Sequence, residues 1–95
     1  QGESVVRYGG EEFVVVLPGV APFDALRRAE EIRRGVAGLR VPLRSDQADR
    51  ELSITVSVGV SSYPMSGGTV RELILAADDA LYAAKGAGRD CVVAA

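Results

Sequence analysis

The 95-residue sequence predicts an α+β fold, an antiparallel-rich sheet sandwiched with helices. Three observations predict it. Two β-rich runs flank a Gly9-Gly10 pair. Residues 52–60 alternate strictly between aliphatic and small or hydroxylic side chains. Two further stretches carry apolar residues at helical spacing. In chain order the elements read β-β-α-β-β-α-β.

The first run is Ser4-Val5-Val6-Arg7-Tyr8 and the second Glu11-Glu12-Phe13-Val14-Val15-Val16-Leu17. Gly-Gly between them predicts a tight hairpin, because a primed turn needs positive φ at both central residues and glycine reaches it cheaply. Phe13 to Leu17 is continuously apolar, which predicts a strand buried on both faces. Pro18-Gly19 ends it. A helix follows from Pro22 or Phe23 to Val36, with Leu26, Ala29, Ile32 and Val36 as its stripe. Asp24 falls in its first turn or at its cap. Arg27, Arg28, Glu30, Glu31, Arg33 and Arg34 form a charged, solvated opposite face, with Glu30 and Arg34 at i,i+4. Gly35 and Gly38 mark its fraying end. Arg40-Val41-Pro42-Leu43 reads as a short edge strand, where proline is tolerated. Ser45 to Arg50 reads as a polar loop.

Leu52, Ile54, Val56, Val58 and Val60 then form one face of a strand whose other face is small. Such a face lets a helix or a ligand come close to the backbone. Tyr63-Pro64 closes the strand and Ser66-Gly67-Gly68 is a loop. Thr69-Val70-Arg71-Glu72 is a capping box that opens the second helix. Its stripe is Val70, Leu73, Ile74, Ala77, Leu81 and Ala84, and Gly86 or Gly88 stops it. Asp90 to Ala94 is a last short strand.

Composition removes several chemistries. There is no histidine, so Ser-His-Asp and Cys-His pairs and histidine-based zinc sites are excluded. One cysteine cannot form an internal disulfide, which suits a reducing compartment. Apolar residues make up 47% and charged residues 25%, ordinary for a globular domain. A net charge of −2 does not favour nucleic acid. No apolar run approaches the ~18 residues that span a bilayer. The first residue is Gln1 rather than Met, and the chain reads as a piece of something longer.

Two places could carry chemistry. At the hairpin tip, Gly9 and Gly10 would let a ligand approach the backbone, while Glu11 and Glu12 offer carboxylates to a hard cation such as Mg²⁺. The plainer account is an ordinary turn with solvated acids. At the end of the second helix, Lys85 and Arg89 are four apart across a glycine-containing turn. Together they could clamp a polyphosphate, lysine as a point charge and arginine as a fork. The plainer account is a lysine complementing the helix dipole. Lys85 is, however, the only lysine among 11 basic residues. Asp78 and Asp79 read as solvated or paired with arginine, and Cys91 as a small core residue.

Arg7-Tyr8-Gly9-Gly10-Glu11-Glu12-Phe13 resembles the signature of the GGDEF family of diguanylate cyclases, in the form with Glu in third place. Ile54-Thr55-Val56-Ser57-Val58-Gly59-Val60 is similar to the family's T-x-S-x-G-[VI] strand. Ala77-Asp78-Asp79-Ala80-Leu81-Tyr82-Ala83-Ala84-Lys85, followed by Gly88-Arg89-Asp90, is similar to its A-D-x-A-L-Y-x-A-K-x-x-G-R-[ND] helix and turn. The resemblance implies a nucleotidyl-cyclase or palm-like sheet, a relative of the ferredoxin-like fold. It implies a domain that joins two GTP into cyclic di-GMP and pyrophosphate, with Mg²⁺ or Mn²⁺, while facing a second GGDEF domain in a homodimer. Gly9 and Gly10 would then lie against the nucleotide. Glu11 would hold metal and help activate the ribose 3′-hydroxyl, and Glu12 would support metal or nucleotide. Lys85 and Arg89 would hold the terminal phosphates. A sensory or receiver domain in the parent chain, a cytoplasmic location and no nucleic-acid partner follow from the same likeness.

The chain departs from the family at its start. Residues 1–95 correspond to the C-terminal portion of one GGDEF domain, without the earlier strand that carries a metal-binding Asp and without the helices that read guanine. The family's inhibitory R-x-x-D places its Asp on Glu3 and its Arg before Gln1, so Glu3 is a remnant of that site. A sheet without a central strand exposes apolar surface, and the 95 residues alone are expected to have no cyclase activity. Two other readings stand beside the enzyme: a catalytically silent GTP- or cyclic di-GMP-binding module of the same fold, and a structural fragment with coincidental motifs.

Overall fold

A computed structural model describes residues 2–10, 12–43 and 50–95. Glu11 and residues 45–49 of the expected polar loop lie outside that set.

The chain runs β1 (Ser4–Arg7), β2 (Phe13–Val16), α1 (Pro22–Ala37), β3 (Val41–Leu43), β4 (Arg50–Leu52), β5 (Val58–Val60), α2 (Val70–Gly86) and β6 (Val92–Ala94). This is the expected α+β class. Strands pair two by two: β1 with β2 and β3 with β4 antiparallel, β5 with β6 parallel. The order has one strand more than the sequence suggested, because the alternating run 52–60 is divided. Its ends pair with different partners, Leu52 with Val41 and Val58 with Val92. Residues 53–57 between them lie outside both strand pairs. Alternation sets which way side chains point, but a strand also needs a neighbour.

Both helices have local causes. Pro22 opens α1 at a position that needs no amide donor, and Asp24 lies in the first turn without a capping hydrogen bond. At α2, the Glu72 amide donates to Thr69 Oγ1 at 3.1 Å. The Glu72 carboxylate accepts from the Gly68 amide at 2.8 Å, one residue before the cap. The first exchange satisfies a donor that the first turn would leave unpaired, and the second ties the preceding residue to the helix.

The core lies where α1 and α2 both pack on the β5–β6 pair. Its buried residues, among those described, are Ala25 and Ala29 of α1 and Ala80 and Ala84 of α2. Small side chains stabilise only modestly, on the order of 0.8 kcal/mol per buried carbon, but they let a helix lie close to a sheet. The closest approach is at Gly59. A methyl group there would run into the Ala77 carbonyl and the Leu81 amide of α2. At Gly59 the small face of the alternating run is thus covered by a helix, while Ser53 and Thr55 at its other end stay exposed. Ser61 adds a hydrogen bond from Oγ to the Leu73 carbonyl at 2.7 Å.

The β1–β2 hairpin stands apart. Its register is Arg7 to Phe13 through Ser4 to Val16, and neither described helix packs on it. The burial expected on both faces of Phe13–Leu17 is therefore not seen: Phe13 is 64% exposed and Val16 47%. No described element covers either face. The radius of gyration is 15.3 Å, against about 12 Å for a compact chain of this length. No helix among the described residues is long and apolar enough to cross a membrane.

Candidate functional site

The hairpin turn is not the two-residue primed turn that Gly-Gly suggests. Arg7 and Phe13 are the last paired residues, so Tyr8 to Glu12 form a five-residue loop. The Tyr8 and Gly9 amides both donate to the Glu12 carbonyl, at 2.8 and 3.3 Å. Arg7 grips the loop from its base: Nε donates to the Gly9 carbonyl at 3.2 Å and Nη2 to the Gly10 carbonyl at 2.8 Å. That clasp, which sequence reasoning missed, holds the loop with no positive φ at Gly9 or Gly10. The glycines with positive φ are Gly19 and Gly88.

Neither loop glycine is therefore required by its backbone angles. A Cβ on Gly10 would meet nothing within 4 Å, and one on Gly9 would meet only Glu12 Oε1, at 3.9 Å. Among the described residues, the fold itself leaves both positions free to carry a side chain. Glycine there makes physical sense when a group from outside must reach the backbone. Glu12 is half-buried, with its carboxylate beside Gly9. A hard oxygen donor is what Mg²⁺ prefers, so the chemistry of the loop fits such an ion. No cluster of three metal-ligating side chains occurs among the described residues.

The second group sits where α2 ends. Ala87 caps the helix, Gly88 follows at φ +112°, and the Arg89 amide donates back to the Ala84 carbonyl at 3.1 Å. This is the long-range bond of a Schellman motif. It places Lys85 in the last turn and Arg89 just beyond the end. Arg89 and Asp90 then continue in the left-handed region, at φ 64° and 48°. Side chains there cost on the order of 1–2 kcal/mol each. Lys85 is half-buried and Arg89 exposed, and neither enters an ion pair among the described residues.

Asp90 does have a partner. Its Oδ1 accepts from Arg33 Nη1 of α1 at 2.7 Å. Arg33 also donates from Nε and Nη2 to the two Glu30 oxygens, at 2.8 and 2.6 Å. Arg34 adds a bond to Glu30 at 2.8 Å, the expected i,i+4 pair. These hydrogen bonds, from Arg33 first, pull the Glu30 carboxyl down from 4.5 to about 2. The hydrogen bonds that Arg33 donates to Glu30 and Asp90 raise its guanidinium above its ordinary value. The charged face of α1 is thus not wholly solvated: Arg33 is only 18% exposed.

Glu3 is also engaged. Arg28 holds it through Nε, and through Nη2 at 3.0 Å, and reaches Glu31 at 3.5 Å. The bond from Arg28 lowers the Glu3 carboxyl below its usual range. Both side chains line a shallow cavity of about 150 Å³ with Leu17, Pro18 and Val20. Asp78 and Asp79 are exposed on α2. Cys91 is half-buried rather than core, its thiol near the Ala84 carbonyl at 3.5 Å.

Hairpin loop and helix end remain two separate groups in the described structure. No packing joins β1–β2 to α2. Neither the 150 Å³ cavity nor one of about 80 Å³ beside Pro22 is lined by Gly9, Gly10, Glu12, Lys85 or Arg89.

Residues 1–91 match the family model described as diguanylate cyclase, GGDEF domain. The response regulator PleD of Caulobacter vibrioides is 46% identical over 87 residues, which cover 92% of this chain and 19% of that protein. Diguanylate cyclase DgcM of Escherichia coli K12 is 40% identical over 95 residues, all of this chain and 21% of that protein. The solved GGDEF domain of DgcB from Caulobacter crescentus, in complex with c-di-GMP, superposes with a TM-score of 0.79 at 36% identity. That match covers 97% of this chain and 51% of the solved one. The chain thus spans about a fifth of these curated relatives and half of that solved domain chain.

Proposed function

The chain belongs to the GGDEF family, and from that premise we propose that it is the C-terminal portion of a diguanylate cyclase domain. In this reading two GTP molecules condense to cyclic di-GMP across a pair of facing domains. Each ribose 3′-oxygen attacks the α-phosphorus of the other nucleotide, a phosphodiester bond forms, and pyrophosphate leaves. The observation that carries it is the pair of glycines the chain does not need for its own folding, Gly9 and Gly10, beside a carboxylate.

Each residue has a task that its chemistry allows. Gly9 and Gly10 leave room for the nucleotide against the loop, and Arg7 keeps that loop in one shape by occupying its outward carbonyls. Glu11 and Glu12 would hold Mg²⁺ or Mn²⁺, with Glu11 also accepting the 3′-hydroxyl proton. When bound, the ion supplies charge neutralisation for the triphosphate. Lys85 and Arg89, without acidic partners among the described residues, are available to hold the terminal phosphates and the departing pyrophosphate. Phosphoryl transfer asks chiefly for in-line positioning and charge neutralisation, which this set can provide without histidine or cysteine.

The exposed hairpin and the coverage of about half a solved domain support a second part of the reading. The rest of the domain covers β1–β2, brings loop and helix end to one nucleotide, and a cytoplasmic parent chain supplies sensory or receiver input. The 95 residues alone then have no turnover. The test is Mg²⁺-dependent conversion of GTP by the full-length protein. Lys85→Ala is expected to lose about 2–4 kcal/mol of transition-state stabilisation, roughly 30- to 900-fold in rate. A second reading is a module that binds nucleotide without turning it over. It draws on the c-di-GMP complex of the DgcB domain, and product binding with no GTP conversion would favour it.

A further inference from the structure

The α2–β6 turn carries Arg89 in a conformation that its own sequence does not favour. Gly88, Arg89 and Asp90 all have positive φ. Only the first is glycine, and Asp90 tolerates the left-handed region better than Arg89 does. Such a run persists when its surroundings fix it on both sides. One side is fixed by the Arg89 amide on the Ala84 carbonyl. On the other side, Asp90 is held by Arg33, which lies 57 positions earlier in the sequence. Arg33 is itself held by both oxygens of Glu30, so its guanidinium is oriented before it meets Asp90.

We propose that Arg33, braced by Glu30, is a positioning residue for Arg89: by gripping Asp90 it fixes the left-handed turn from which Arg89 reaches the nucleotide phosphates. This rests on the reading that Arg89 holds those phosphates. Arg33 touches no substrate. It acts across the gap between α1 and the α2–β6 turn, and its planar fork is suited to hold two carboxylates at once. Lysine, a point charge on a flexible stem, would keep one contact and lose the orientation.

The experiment uses the full-length protein and two probes, GTP and guanosine. Arg33→Ala is expected to weaken GTP binding about 10-fold or more, the scale of a misplaced positioning group, with guanosine binding unchanged. Arg33→Lys is expected to fall between. In an Arg89→Ala background, either Arg33 substitution is expected to cost little more, because the group being positioned is gone. If Arg33→Ala does not fold, Arg33→Lys carries the same comparison. Equal weakening of GTP and guanosine, or full additivity with Arg89→Ala, overturns the proposal while leaving the cyclase reading in place. Unchanged GTP binding in Arg89→Ala alone overturns the phosphate role of Arg89, and the proposal with it.

Discussion

The two ends of the proposed site are built on opposite principles. At the α2 end every backbone feature has a cause within the chain. Gly59 is there because α2 lies against it, Gly88 because the helix must turn, and Asp90 because Arg33 waits for it. At the hairpin end the chain explains little. Gly9 and Gly10 relieve no clash and adopt no positive φ, and Phe13 and Val16 lie open to solvent. The difference teaches how to separate residues kept for folding from residues kept for something that binds. Gly59 is demanded by its neighbours; Gly9 and Gly10, in an exposed loop beside a carboxylate, are not, and in the proposed reading that space is for the nucleotide.

Substitutions at glycine test that division directly. The largest expected effect is at Gly59. A methyl group would strike the α2 backbone, which has no flexible end to give way. Gly59→Ala is expected to destabilise by about 3 kcal/mol, the upper range for overpacking, measured by denaturant unfolding of the intact protein. A loss below ~0.5 kcal/mol there would break the comparison. Gly88→Ala comes next, at about 1–2 kcal/mol, because its φ of +112° is hard for a side chain to adopt. Thr69→Ala, which removes the α2 cap, is expected to cost about 1 kcal/mol. The smallest stability effect belongs to Gly10→Ala, within ~0.5 kcal/mol, since nothing stands near the added methyl.

Acid sharpens the picture of α1. Glu30 is depressed from 4.5 to about 2 by the hydrogen bonds of Arg33 and Arg34. A carboxyl lowered on folding contributes stability that is fully present above about pH 4.5 and is lost as pH falls toward 2. In Glu30→Gln this part of the acid sensitivity should vanish. Unfolding midpoints of both proteins across that window check it, and identical pH profiles would remove Glu30 as the brace.

Much of this was legible in the sequence, and what was not has a common cause. The helices could be read because their signals are local: Pro22 opens one, and Thr69 with Glu72 caps the other. The small face of residues 53–61 announced a close approach, though only the structure told helix from ligand. Misread features depend on distant partners. The alternating run broke because Leu52 and Val58 pair with strands far apart in sequence. Gly9-Gly10 suggested a two-residue turn because the clasp by Arg7 leaves no mark in turn statistics. Phe13 to Val16 reads as a buried strand, and in the described chain nothing covers it. Arg33 looked like one more solvated arginine, because Asp90 is brought to it only by the fold.

Gly10→Ala in the intact protein offers the most direct trial of the whole account. Unfolding and GTP conversion are measured on the same preparation. If the loop glycines exist to admit a nucleotide, the unfolding free energy stays within ~0.5 kcal/mol of the parent. Production of cyclic di-GMP then falls about 100-fold, as expected when a reacting group is pushed out of line. Undiminished synthesis in a stable Gly10→Ala protein would contradict it.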